Sequence, residues 1–87
     1  MEKVVYIRSI YQETPTWMER EKYSFSISAE CGDKEIEIEG LIDVTDYYMF
    51  ARSINEKDMS IPLEQFRKFW DKILITSMDT IYKDKSF

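Results

Sequence analysis

Three glutamates at every second position, Glu35, Glu37 and Glu39, are separated by Ile36 and Ile38. In a strand the carboxylates line one side and the isoleucines the other, with same-side groups repeating every ~6.4–6.8 Å. A row of negative charge at that repeat can steer association with any basic protein surface. The repeat is also close to two base-pair rises of a B-form strand, ~6.8 Å along the axis. The row can therefore imitate a short stretch of nucleic-acid backbone and occupy a basic groove on a protein that handles DNA or RNA. The plainer account is a solvated sheet face whose glutamates discourage aggregation, and strand twist works against strict registry with a duplex. The row belongs to a larger acidic stretch. From Glu30 to Asp46 the chain holds Glu30, Asp33, Glu35, Glu37, Glu39, Asp43 and Asp46 against Lys34 alone, a charge of −6. The whole chain carries −5, so everything outside this window sums to +1 and the negative charge is local.

Other chemistry is poorly supplied. There is no histidine and one cysteine, Cys31, so neither a Ser-His-Asp or Cys-His centre nor a Cys/His zinc site can be assembled. Cys31 beside Gly32 and Asp33 reads as a small turn residue rather than a reactive thiol. Asp43-Val-Thr-Asp46 lacks the ligand series of a calcium loop, and there is no glycine-rich phosphate loop. No catalytic residue, metal or cofactor is expected. A pI near 4.7 opposes direct binding to nucleic acid, which normally rests on a basic face. No long apolar run or charged-then-apolar leader suggests secretion or a membrane span, and the single cysteine suits a reducing cytoplasm.

The elements that must position the acidic row are legible in outline. At 87 residues with 44% hydrophobic content, one domain over residues 1–87 is expected, with enough bulk for a core. Two glycines and two prolines leave few corners for a many-stranded barrel. Val4 to Gln12 is β-branched and aromatic, hence a strand. Both of its sides carry apolar residues, which suits a central strand covered in part on each face. Tyr23, Phe25, Ile27 and Ala29 alternate with Ser24, Ser26 and Ser28. Across a turn at Cys31-Gly32-Asp33 the Glu/Ile alternation follows, giving a hairpin with one apolar and one polar face. Serine opposite glutamate then avoids a like-charge penalty, and Gly40 ends or bulges the second strand of the hairpin.

Thr45 is placed as the N-cap of a first helix, with Asp46 near the positive end of its dipole. Tyr47, Phe50, Ala51 and Ile54 recur at helical spacing. A second helix starts at Pro62, and its apolar stripe runs through Leu63, Phe66, Phe69, Trp70, Ile73, Leu74, Met78 and Ile81. Ile75 falls on the charged side of that stripe. The expected architecture is α+β, a three-stranded antiparallel sheet followed by two helices packed on one face (βββαα).

Two apolar features compete with the acidic row as binding surface. Trp17 and Met18 lie in a loop between charged neighbours, either as an interface anchor or as a lid over the core. In Tyr47-Tyr48-Met49-Phe50, burial of Tyr47 and Phe50 turns Met49 outward with Tyr48 at the margin. That makes either an adaptable contact surface or ordinary surface exposure. In size, acidity and missing catalytic groups the chain resembles small phage-encoded inhibitors of host defence and toxin-neutralising immunity proteins, a likeness of class that no motif carries. The expected function is non-enzymatic: an inhibitor or immunity-type protein binding a partner with a basic surface through Glu35, Glu37, Glu39, Asp43 and Asp46. The alternative is a structural or regulatory subunit docking in a homo- or hetero-oligomer through Trp17, Tyr48 and Met49, and Met18 beside Trp17 is a further candidate for partner contact.

Overall fold

A computed structural model describes residues 3–15 and 21–76. The chain runs β1 (Val4–Glu13), β2 (Lys22–Cys31), β3 (Lys34–Asp43), α1 (Val44–Ser53), β4 (Ser60–Pro62), α2 (Leu63–Trp70) and β5 (Leu74–Ile75). The strands form one antiparallel sheet in the order β4-β1-β2-β3-β5. The α+β class and the βββ-helix order agree with the sequence, but the sheet has five strands where three are expected. The two additions are three and two residues long, too short to show a period, and both sit at edges. Pro62 is tolerated there because an edge strand can spare an N–H.

The hairpin of β2 and β3 pairs over ten positions, from Lys22↔Asp43 to Cys31↔Lys34. Its turn is the two residues Gly32-Asp33, and Gly32 takes φ 61°, the left-handed value a tight hairpin demands. Cys31 is therefore the last residue of β2, not part of the turn, and is buried in the core. Phe25, Ile27 and Ala29 of β2 and Ile36, Ile38 and Ile42 of β3 form the inner face.

The double-sided apolar pattern of β1 has a different cause from the one expected. Ile7 pairs with Ala29 but Ser9 pairs with Ser28, so Arg8 is the extra residue of a β-bulge. One inserted residue reverses which positions face inward. Val5 and Ile7 point to the core before the bulge and Ile10 packs against it afterwards, opposite Ile27. Tyr6 and Tyr11 are turned to the other face and are exposed.

Both helices cover the inner face. Phe50 of α1 and Leu63, Phe66 and Trp70 of α2 are buried with Val5, Ile36, Ile38 and Ile61. Aromatic edges tie the core together: Phe25 of β2 meets Phe50 of α1 at 5.8 Å across the layers, Phe50 meets Phe69 at 5.4 Å between the helices, and Phe66 meets Trp70 at 5.7 Å within α2, between ring centroids. The N-cap of α1 is Asp43, not Thr45, and its carboxylate makes no capping hydrogen bond. It accepts instead from Lys22 Nζ at 3.0 Å, while the Val44 N–H donates to the Glu21 carbonyl at 3.0 Å. Between α1 and β4, Met59 takes φ 54° and its carbonyl accepts from the Ile7 N–H at 2.8 Å.

The second helix is shorter than the apolar spacing predicts. Pro62 is its N-cap rather than its first residue, and it stops at Trp70. Ile73 to Ile75 turn back to the sheet, where Ile75 pairs with Gly40 and Leu74 with Leu41. Two β-branched residues in three favour this edge pairing. It also explains Ile75, which packs on the core instead of lying on the charged side of a helix. Met78 and Ile81 lie outside the described residues. Gly40 neither ends nor bulges β3. It lies within the strand because a Cβ there would sit 2.4 Å from the Leu74 carbonyl oxygen and 2.6 Å from Ile73 Cγ2.

Candidate functional site

Neither helix lies on the outer face of the sheet, and the strand register fixes which side chains meet there. Reading from β1 through β2 to β3, Tyr6, Glu30 and Glu35 form one row, Ser9, Ser28 and Glu37 the next, and Tyr11, Ser26 and Glu39 a third. A fourth row holds Glu13, Ser24 and Leu41, extended by Leu74 of β5. Lys22 and Asp43 close the far end. Glu35, Glu37, Glu39 and Asp43 thus share one line along β3, all exposed. The face pairs six carboxylates with two described cations, Arg8 and Lys22.

Those two cations are already engaged. Lys22 Nζ is 3.0 Å from Asp43 Oδ1, and Arg8 Nη1 reaches across β2 to within 3.7 Å of Glu35 Oε1. The bulge places Arg8 where it can do this. Serine faces glutamate at Ser26↔Glu39 and Ser28↔Glu37, as the alternation implies, but the third pair is Glu30↔Glu35, like charge against like. Arg8 offsets that repulsion from one side. Tyr6 and Tyr11 border the carboxylates at 45% and 63% exposure. The Tyr11 hydroxyl donates to Glu13 Oε2 at 3.2 Å, and this bond with the adjacent negative charge raises the phenol above its ordinary pKa.

Asp46 does not join this face. It lies in the first turn of α1, on the helix side of the molecule, beside Met49 in an open groove of about 700 Å³ between α1 and α2. Met49 is exposed there, as the helical geometry implies. Tyr48 is exposed but engaged: its hydroxyl is 3.2 Å from that of Tyr23, and its ring stands edge-on to Tyr23 and Tyr47. The shared hydrogen bond, then burial, raises the Tyr23 phenol, while burial followed by the neighbouring Tyr48 raises that of Tyr47. Trp17 and Met18 lie outside the described residues.

Tyr6, Tyr11, Glu13 and Arg8 were not singled out by sequence reasoning, and Glu30 entered it only as part of the acidic stretch. The switch of apolar parity between Ile7 and Ile10 is the one signal that locates the bulge and so turns both tyrosines outward. Among the described residues no three His, Cys, Asp or Glu side chains are grouped to hold a metal ion. No described helix is long and apolar enough to cross a membrane. Compared with known proteins, the chain matches no family model, no curated protein and no solved structure.

Proposed function

We propose that the protein is a non-enzymatic binding domain of the inhibitor or immunity type, which presents the open sheet face to a basic cleft of a partner protein in the cytoplasm. One observation carries this reading: a sheet face that neither described helix covers, on which, among the described residues, carboxylates outnumber cations six to two, with Tyr6 and Tyr11 exposed beside them. Charge of one sign on one face accelerates encounter with a partner of opposite sign and rejects acidic competitors. Tyrosine supplies the anchoring area that charge alone does not, because a rigid ring buries surface at small entropic cost. The ~6.4–6.8 Å repeat of Glu35, Glu37 and Glu39 suits a cleft shaped to grip nucleic-acid phosphates. Direct nucleic-acid binding runs against the same charge.

Replacing Glu35, Glu37 and Glu39 together by glutamine tests the reading. Partner capture from the native host's lysate should be lost, while thermal unfolding changes little because all three groups are exposed. Wild-type capture should weaken sharply between physiological and molar salt, as the screening length falls from ~8 to ~3 Å. A partner held equally well by the triple variant, or indifferent to salt, refutes the acidic face as the docking surface.

A further inference from the structure

The two edge strands are shorter than the strands they pair with. β5 pairs with β3 at Gly40 and Leu41, and the Thr76 N–H donates to the Glu39 carbonyl at 3.2 Å. Among the described residues, nothing pairs with the outer side of β3 from Lys34 to Ile38. β4 likewise leaves β1 unpaired beyond Ile7, but there the bulge at Arg8 breaks the strand, and a bulged edge resists strand addition. β3 has no such interruption, since its register with β2 runs unshifted from Lys34 to Asp43. The direction of its free groups follows from the ladder. In an antiparallel pair the N–H and C=O of one residue point to the same side, and that side alternates along the strand. The Glu39 carbonyl points away from β2, toward Thr76, so the N–H and C=O groups of Glu37 and Glu35 point outward as well.

The free main-chain groups and the exposed carboxylates therefore belong to the same two residues. A strand added antiparallel along this edge sets the residues opposite Glu35 and Glu37 on the outer face, with Cβ atoms ~4.5–5.5 Å from theirs. The residue between them falls opposite Ile36, on the apolar side of the sheet. A second copy of β3 cannot be that strand, because it would set glutamate against glutamate. Glu35 already has Arg8 at 3.7 Å, whereas neither ion pair of the described residues includes Glu37. We infer, resting on the acidic face as the docking surface, that the partner's basic cleft supplies an extended segment which adds to the free edge of β3 as a sixth strand. That segment carries Lys or Arg opposite Glu35 and Glu37, with a β-branched residue between them. Main-chain hydrogen bonds hold such a strand and its alternate side chains select it. The position opposite Glu37 contributes more to selection, since Arg8 does not compete for that carboxylate.

Amide hydrogen exchange of the full 87-residue chain, read by NMR, tests this with a short blocked peptide that alternates lysine and valine. In the free chain the Glu35 and Glu37 amides should exchange fast, while those of Ile36 and Ile38, which face β2, are protected. Saturating peptide should slow the Glu35 and Glu37 amides by about tenfold or more, as pairing in a ladder does. Methylating the backbone nitrogens of the peptide's lysines removes the donors that face β3 and keeps the charge, and it should abolish that protection. Glu37→Lys sets like charges opposite each other and should raise the peptide's dissociation constant about tenfold or more. Glu35 and Glu37 amides already protected in the free chain would mean that another part of the chain occupies the edge, which overturns the inference. Binding that survives backbone methylation also overturns it, while leaving the acidic face as a docking surface without strand addition. A peptide that does not bind at all overturns it too, and the triple glutamine variant alone then decides the broader reading.

Discussion

Gly40→Ala should be among the most damaging single-methyl additions in this chain. The new Cβ would lie 2.4 Å from the Leu74 carbonyl oxygen, 2.6 Å from Ile73 Cγ2 and 3.0 Å from the Leu74 carbonyl carbon. Optimal carbon contacts are ~3.5–4.0 Å, so the crossing segment must retreat by roughly 1 Å. The nearest atom is backbone rather than the end of a flexible side chain. Its retreat pulls against the Gly40↔Ile75 and Leu41↔Leu74 pairs and the Thr76 N–H to Glu39 carbonyl hydrogen bond of 3.2 Å. If the contact is kept, overpacking of this kind costs ~1–3 kcal/mol. If β5 lifts away, Ile73 and Ile75 lose part of their burial at ~25 cal/mol per Å², and the loss is of similar size. Either route gives about 2 kcal/mol, hence a melting temperature lower by roughly 8–16 °C for a domain of this length. Urea and thermal unfolding measure the loss, and hydrogen exchange separates the two routes. Detachment removes protection from the Thr76 amide, whereas strain retained in place leaves it protected. A Gly40→Ala protein within 0.5 kcal/mol of wild type, with Thr76 still protected, would refute the crossing of residues 73–75 over Gly40.

Two further outcomes follow from the outer face and the tyrosine cluster. Glu30→Lys replaces the like-charge pair with Glu35 by an opposite-charge one, and should stabilise the fold by roughly 0.5–1 kcal/mol at low salt. Denaturation at low and molar salt checks this, and an unchanged or lower midpoint would mean that Glu30 and Glu35 are not opposed. Tyr11, Tyr23 and Tyr47 are each raised above 10.0. The neutral phenol is thus favoured in the fold, and the resulting stability is complete below pH 10 and lost as pH rises through the higher folded values. Ultraviolet titration should show these phenols ionising late. Tyr48→Phe should bring Tyr23 back toward 10.0, because the bond with Tyr48 is the largest cause of its shift; a Tyr23 that does not move would break that assignment.

The parts of this fold that repeat were legible in its sequence, and the parts that depend on one residue were not. The β2–β3 hairpin declares itself because its apolar and polar positions alternate without interruption, so the register places Glu37 and Glu39 beside serine. One inserted residue, Arg8, is enough to defeat the same reading in β1, since a bulge changes parity without leaving a mark of its own in composition. Yet that residue decides the character of the outer face. It sends Tyr6 and Tyr11 outward and brings its own guanidinium within 3.7 Å of Glu35. The end of α2 failed for a related reason. Apolar residues at 73 and 74 satisfy a helical stripe and an edge strand equally well, and the decision rests on a distant position, Gly40, whose missing side chain leaves space for the second option. Local spacing therefore finds the acidic row but not its aromatic border. The border follows only from the pairing of three strands: a Tyr11→Ala variant that folds normally yet loses partner capture would show that the bulge, as much as the glutamates, makes the surface.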